Sequence, residues 1–182
     1  MLQRYKTIVL FLLVLNNFSC QENSKTQNMA SEKKTSIGEK APLFSLPDQN
    51  GKMVNLTDFI GKTKLVIYFY PKDESFGCTK EACGFRDSYE DFKDAGAEVI
   101  GISADDEASH RAFSTHHKLP FILLSDRDKK VATLYNVKRS LGILPGRVTF
   151  VIDKQGIIRM IYSSQINFEK HVEEAVTVLK NL

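Results

Sequence analysis

The stretch Leu65-Val66-Ile67-Tyr68-Phe69-Tyr70, followed by Pro71-Lys72-Asp73-Glu74-Ser75-Phe76-Gly77 and then Cys78-Thr79-Lys80-Glu81-Ala82-Cys83, decides the fold. An unbroken apolar run of this length suits a strand buried on both faces, at the middle of a sheet. A polar turn opened by proline ends it. From Cys78 the pattern becomes helical, with Ala82, Phe85, Tyr89 and Phe92 following at helical offsets, which predicts a helix from Cys78 to about Gly96. The junction between a buried strand and the helix after it is where open α/β sheets build their sites.

Working outward, Met53-Val54-Asn55-Leu56 reads as a short strand and residues 98–103 (EVIGIS) as another. Asp105-Asp106-Glu107 opens a helix reaching His117, because acidic side chains suit the positive end of a helix dipole. Residues 121–124 form a strand and 129–135 a short helix. Arg147 to Asp153 pairs with Ile157 to Tyr162 as a hairpin across Lys154-Gln155-Gly156. Residues 168–182 make an amphipathic helix with Val172, Ala175, Val176 and Leu179 on one face. Strands separated by helices, with a late antiparallel hairpin, predict a single α/β domain over residues 36–182, its mixed sheet covered on both faces.

Composition fits that reading. Of the 182 residues, 42% are hydrophobic and 26% charged, as in a packed globular protein. A net charge of +3 with no basic run gives nucleic acid nothing to bind. Three cysteines are too few for a disulfide-built scaffold, so each needs its own explanation.

Residues 1–19 carry Arg4 and Lys6, then the apolar run Ile8 to Leu15, which is too short to cross a bilayer and matches a signal-peptide core. Ser19-Cys20 after that core resembles a bacterial lipoprotein signal, in which Cys20 carries the lipid, although Asn17 stands where an aliphatic residue is usual. The expectation is a signal over 1–19, a polar tether over 20–35, and a place in the bacterial cell envelope, lipid-anchored through Cys20 or periplasmic. Two other readings stay open: a cleaved secretory signal with a chance cysteine, and translation from Met29, which gives a cytoplasmic protein.

Cys78 falls in the first turn of the predicted helix, where unpaired amides and the helix dipole favour a thiolate. The polar residues around it suggest a partly accessible turn. Cys83 lies five residues on, a rise of about 7.5 Å, which puts the two Cα atoms roughly 8.6 Å apart on an intact helix. A disulfide needs less than about 7 Å, so the pair can bond only if the first turns unwind. The spacing is not that of a C-x-x-C redox motif and is at the upper limit for a zinc half-site.

Pro71-x-x-x-Ser75-x-x-Cys78 resembles the Pro-x-x-x-Thr/Ser-x-x-Cys signature of peroxiredoxins, and the wider stretch 68–92 resembles their Q-type branch, the bacterioferritin-comigratory-protein group of the AhpC/TSA family. The opening Gly38-Glu39-Lys40-Ala41-Pro42 and the strand Arg147-Val148-Thr149-Phe150-Val151-Ile152-Asp153 are similar to that branch as well. Phe76 departs from it, standing where proline is usual. The resemblance implies a thioredoxin-like fold and a peroxidase acting on hydrogen peroxide and organic hydroperoxides. It implies Cys78 as the peroxidatic thiol, Cys83 as the resolving thiol in an intramolecular Cys78–Cys83 disulfide, and thioredoxin or a similar dithiol as reductant. Ser75 would hydrogen-bond thiolate and peroxide, Arg147 would stabilise negative charge, and Pro71 would shield the pocket. It implies no cofactor and no metal, and a monomer.

Arg86 is a candidate second cation. His110, His116 and His117 read as a solvated helix face, and Met160, Tyr68, Tyr70 and Tyr162 as packing residues. The competing function is a membrane-tethered copper or redox carrier of the same fold class, which uses a shorter cysteine spacing and a partnered histidine.

Overall fold

The structure, a computed structural model, describes residues 35–138 and 146–182. In chain order its elements are β1 (Ser45–Pro47), β2 (Met53–Asn55), a 3-10 turn (Leu56–Asp58), β3 (Lys64–Phe69), α1 (Phe76–Asp87), α2 (Tyr89–Asp94), β4 (Ala97–Ser103), α3 (Glu107–His117), β5 (Ile122–Ser125), α4 (Lys130–Leu134), β6 (Val148–Ile152), β7 (Ile158–Ser163) and α5 (Phe168–Leu179). The main sheet runs β5-β4-β3-β6-β7, so the apolar run does form its middle strand. β3, β4 and β5 are parallel, while β6 and β7 are antiparallel to their neighbours. β1 and β2 make a separate antiparallel pair.

Strand alternation divides β3 between two cores. Val66, Tyr68 and Tyr70 pack with Ala82, Phe85, Phe92, Phe113, Val172 and Leu179, under α1, α2, α3 and α5. Leu65, Ile67 and Phe69 face Leu56, Tyr135, Phe150 and Ile158. That second face is closed by the short α4, the 3-10 turn and the β1–β2 pair rather than by long helices. Tyr68 and Tyr70 are core residues, Met160 is buried, and Tyr162 lies edge-on against His171.

The single helix expected from Cys78 to Gly96 is two, broken at Ser88 (φ −101, ψ 14). Periodicity did not reveal the break because Phe85, Tyr89 and Phe92 all turn inward on either side of it. Thr35, read as the end of the tether, is buried and donates its hydroxyl to the Leu134 carbonyl (3.1 Å). The signal over 1–19, the rest of the tether, Cys20 and Met29 lie outside the described residues.

His110 is a correction: it is fully buried, not on a solvated face. It follows the inward stripe of α3 with Phe113, and its partner comes from a distant loop, so the polar composition of the helix hid it. His110 Nδ1 is 2.9 Å from Asp73 Oδ2, and Nε2 is 3.2 Å from the Leu124 carbonyl. Asp73 also accepts from Tyr70 (2.7 Å) and Ser109 (2.7 Å), and its amide donates to Asp105 (2.8 Å). Asp106, not Asp105, caps α3 by accepting from the Ser109 amide (2.8 Å). Asp73 thus nails the loop between β3 and α1 onto α3.

Burial pushes the Asp73 carboxyl up, but hydrogen bonds from His110, Ser109 and Tyr70 outweigh it and hold the group below its ordinary value. Its contribution to stability is therefore present above the ordinary carboxylate range and is lost as pH falls through the lowered value. His110→Ala strips the buried carboxylate of its ring partner and is expected to cost about 3–5 kcal/mol in urea unfolding at neutral pH. A loss under about 1 kcal/mol would show that the network does not hold the loop.

Candidate active site

Helix α1 starts with Ser75 at its N-cap in extended backbone (φ −78, ψ 143). Cys78 therefore sits in the first turn, at the positive end of the dipole. Helical rotation aims it inward with Ala82 and Phe85 while Phe76 and Lys80 stay outside, so Cys78 is 1% exposed rather than in an accessible turn. Gly77 beside it has no room for a side chain: a Cβ there would lie 2.6 Å from the Phe168 ring and 3.3 Å from Arg147 Nη2.

The antiparallel register Phe69↔Val148 brings Arg147 level with the end of β3. Arg147 is buried with its guanidinium over the Phe168 ring, 4.8 Å from the centroid. Nη2 donates to Cys78 Sγ at 3.2 Å, and Nη1 donates to Glu81 Oε2. Nε has no partner among the described residues, so one donor is left over.

Glu81 is fully buried, and burial pushes its carboxyl up to about 8 against the pull of Arg147. Burial thus favours the protonated carboxyl, and Arg147 is shared between it and the sulfur. With Oε2 accepting from Arg147, the proton belongs on Oε1, which is 3.4 Å from His171 Nδ1. Burial holds His171 down at about 4, so the ring is neutral. Its Nε2–H donates to the Ser164 carbonyl (3.0 Å), leaving Nδ1 to accept from the Thr149 hydroxyl (2.7 Å).

Of the residues singled out in the sequence, the structure brings together Cys78 and Arg147. Cys83 is half-buried on the same helix, and both thiols are free. Ser75 donates to the Lys72 carbonyl (3.0 Å) instead of reaching the sulfur. Pro71 lines a cavity of about 330 Å³ with Tyr70, Ser103, Asp126 and Gly146; Cys78 is not on its wall. Arg86 lies beside Cys83, not Cys78; it pairs with Asp87 and donates to the His117 carbonyl (2.8 Å). Phe76 is 75% exposed beneath Lys80. Glu81, His171, Thr149 and Phe168 were missed. The signal for Glu81 was an acidic residue on the apolar stripe shared by Cys78, Ala82 and Phe85. For His171 it was a place on the apolar face of the last helix.

Residues 37–161 match the AhpC/TSA family. The chain is 53% identical over 150 residues to "Peroxiredoxin Q, chloroplastic" of Suaeda salsa, covering 82% of this chain and 70% of that one. It is 55% identical over 148 residues to the protein of the same name from Arabidopsis thaliana, covering 81% and 68%. Among solved structures, peroxidoxin BcpB from Mycobacterium tuberculosis superposes with a TM-score of 0.76 at 34% identity, covering 81% of this chain and 98% of that one.

These names correct the expected location: relatives at this identity are chloroplastic proteins, which overturns the bacterial envelope and, with it, the cytoplasmic variant. The carrier reading is not favoured either, since family and neighbours are peroxiredoxins. With a thioredoxin-like mixed sheet, a match over 37–161 and relatives above half identity, the chain belongs to the AhpC/TSA family, in its peroxiredoxin Q branch, and is a thiol-dependent peroxidase.

Proposed function

We propose that Cys78 is the peroxidatic nucleophile and Cys83 its resolving partner, within a monomer recycled by thioredoxin or a similar dithiol. The observation that carries the reading is the buried contact between Arg147 Nη2 and Cys78 Sγ at 3.2 Å. The thiolate attacks one peroxide oxygen, an S–O bond forms, the O–O bond breaks, and alkoxide or hydroxide leaves and takes a proton. Arg147 faces the charge that develops, with its unpartnered Nε–H as a further donor.

Sulfenic acid formation consumes the anion that balanced Arg147. Glu81 shares Arg147 with the sulfur and acts through it, as a positioning residue, while the leaving oxygen takes its proton from solvent. The Cys83 thiolate then attacks the sulfenic sulfur, the disulfide forms and hydroxide leaves as water. An external dithiol supplies the two electrons and two protons that regenerate both thiols. Both cysteines lie on α1, so the disulfide requires no second chain, which supports the monomer.

A single turnover tests the reading. Reduced wild type given one equivalent of hydrogen peroxide is expected to lose two thiols with no dimer, while Cys83→Ser stops at sulfenic acid and fails to cycle with thioredoxin. Multi-turnover cycling in Cys83→Ser would remove Cys83 from the route, and thiols that persist for minutes would remove Cys78.

The pH dependence follows from Glu81. As pH rises through about 8 its carboxyl ionises and draws Arg147 away from the sulfur, so the peroxide rate of the wild type is expected to fall there. Glu81→Gln cannot ionise. It is expected to match the wild type within about twofold at neutral pH and to lack the alkaline fall in stopped-flow. An alkaline limb that survives in Glu81→Gln would take Glu81 out of the mechanism.

Gly77→Ala tests the close packing. The added methyl displaces Phe168 and presses on Arg147, and is expected to slow the peroxide step by about tenfold to a hundredfold with the fold retained by circular dichroism. An unchanged rate would mean that the placement of Arg147 tolerates this shift.

A further inference from the structure

The loop leading into Cys78 is pinned to α3 at two consecutive residues, and the outer pin has the donor set of a metal site. Glu74 stands in left-handed backbone (φ 56), a conformation that a non-glycine residue holds only when its surroundings impose it. Its two carboxylate oxygens each meet an imidazole: Oε1 is 3.0 Å from His116 Nδ1, and Oε2 is 3.0 Å from His117 Nε2. The three candidate ligand atoms lie within 4.8 Å of one another. His116 and His117 end α3, where unpaired carbonyls favour positive charge. The neighbouring cation, Arg86, already has its charge paired with Asp87 (2.8 Å).

We propose that Glu74, His116 and His117 bind a divalent transition-metal ion of the zinc class, with solvent completing its shell, and that the ion clamps the loop ahead of Cys78. Two imidazoles and a carboxylate are a known protein donor set for zinc with an open position. Tetrahedral bonds of about 2.0–2.1 Å set ligand atoms roughly 3.3 Å apart. The 3.0 Å hydrogen-bonded pairs therefore open slightly to admit the ion. The exposed ring of His116 rotates to close the remaining gap, while His117 is held against Phe113. The ion takes the place of the protons now shared between each ring and the carboxylate.

The peroxidase chemistry does not need this ion. Its effect on the cycle rests on the reading given above, while its binding does not. Helix α1 begins two residues after Glu74. A ligand that binds only the folded loop opposes the unwinding that brings Cys83 to Cys78. At ten times its dissociation constant such an ion suppresses opening by about tenfold.

Cobalt(II) titrated into the reduced full-length protein reads the site directly, because nitrogen–oxygen and sulfur ligation differ in their visible and near-ultraviolet bands. The expected result is a nitrogen–oxygen spectrum, displaced by zinc and weakened at least about tenfold by His116→Ala or Glu74→Gln, neither of which touches the core. A spectrum with sulfur charge-transfer bands that His116→Ala leaves unchanged, or no binding at all, would overturn the site. In stopped-flow, zinc is expected to slow disulfide formation about tenfold in wild type but not in His116→Ala, with the first peroxide step unchanged. Binding without that slowing would overturn the clamp alone. Failure of the zinc-free protein to consume peroxide would count against the peroxidase reading and not against the site.

Discussion

A guanidinium with almost no exposure to water is the constraint around which this site is arranged. Arg147 is 3% exposed, and removing its charge from solvent costs several kcal/mol unless an anion answers it. Two groups lie within reach, Glu81 and Cys78. Glu81 is still more deeply buried, and burial makes its own ionisation so unfavourable that it remains an acid at neutral pH. The carboxyl beside the sulfur is one that burial pushes up, so it competes weakly for the guanidinium that reaches Cys78.

That arrangement depends on register. β6 enters the sheet antiparallel to β3, and its residues alternate, so Arg147, Thr149 and Val151 share the face covered by α1 and α5. Arg147 meets the start of α1 and Thr149 meets His171 of α5. A slip of one residue would turn all three toward the other core. Phe168 roofs the guanidinium from the first turn of α5, and the glycine at position 77 lets α1 approach closely enough to share that roof.

Apart from β1, the order of strands and helices was legible because the apolar runs of β3, β4 and β6 and the helical period of α5 are strong signals. The break at Ser88 was not, since inward-facing residues keep their phase across it. Cys78 and Arg147 were legible through the residues around each of them, and Cys78 also through its place at a strand-to-helix junction. Glu81, His171 and His110 were not. Each is a polar residue on an inward stripe whose partner lies far away in sequence, and separations such as the 66 residues between Glu81 and Arg147 leave no local trace. Ser75 shows the reverse case: the motif position was identified, but the hydroxyl points back to Lys72 in the folded helix.

The reduced site and the disulfide demand different things of α1, and its sequence meets both by making the helix weak at its start. The N-cap serine spends its hydroxyl on Lys72, so no side chain caps the first turn, and the first turn carries no acidic residue. Loss of a cap forgoes about 1 kcal/mol. Gly84, inside the helix, costs about 1 kcal/mol relative to alanine. Against this, Cys78, Ala82 and Phe85 hold α1 down by packing, and the preceding loop is fixed to α3 through Asp73. Unwinding is therefore bounded at its far end by the buried Phe85 and at its near end works against the contacts that hold the loop. The turns between are the segment that must open to bring two cysteines five positions apart within bonding distance.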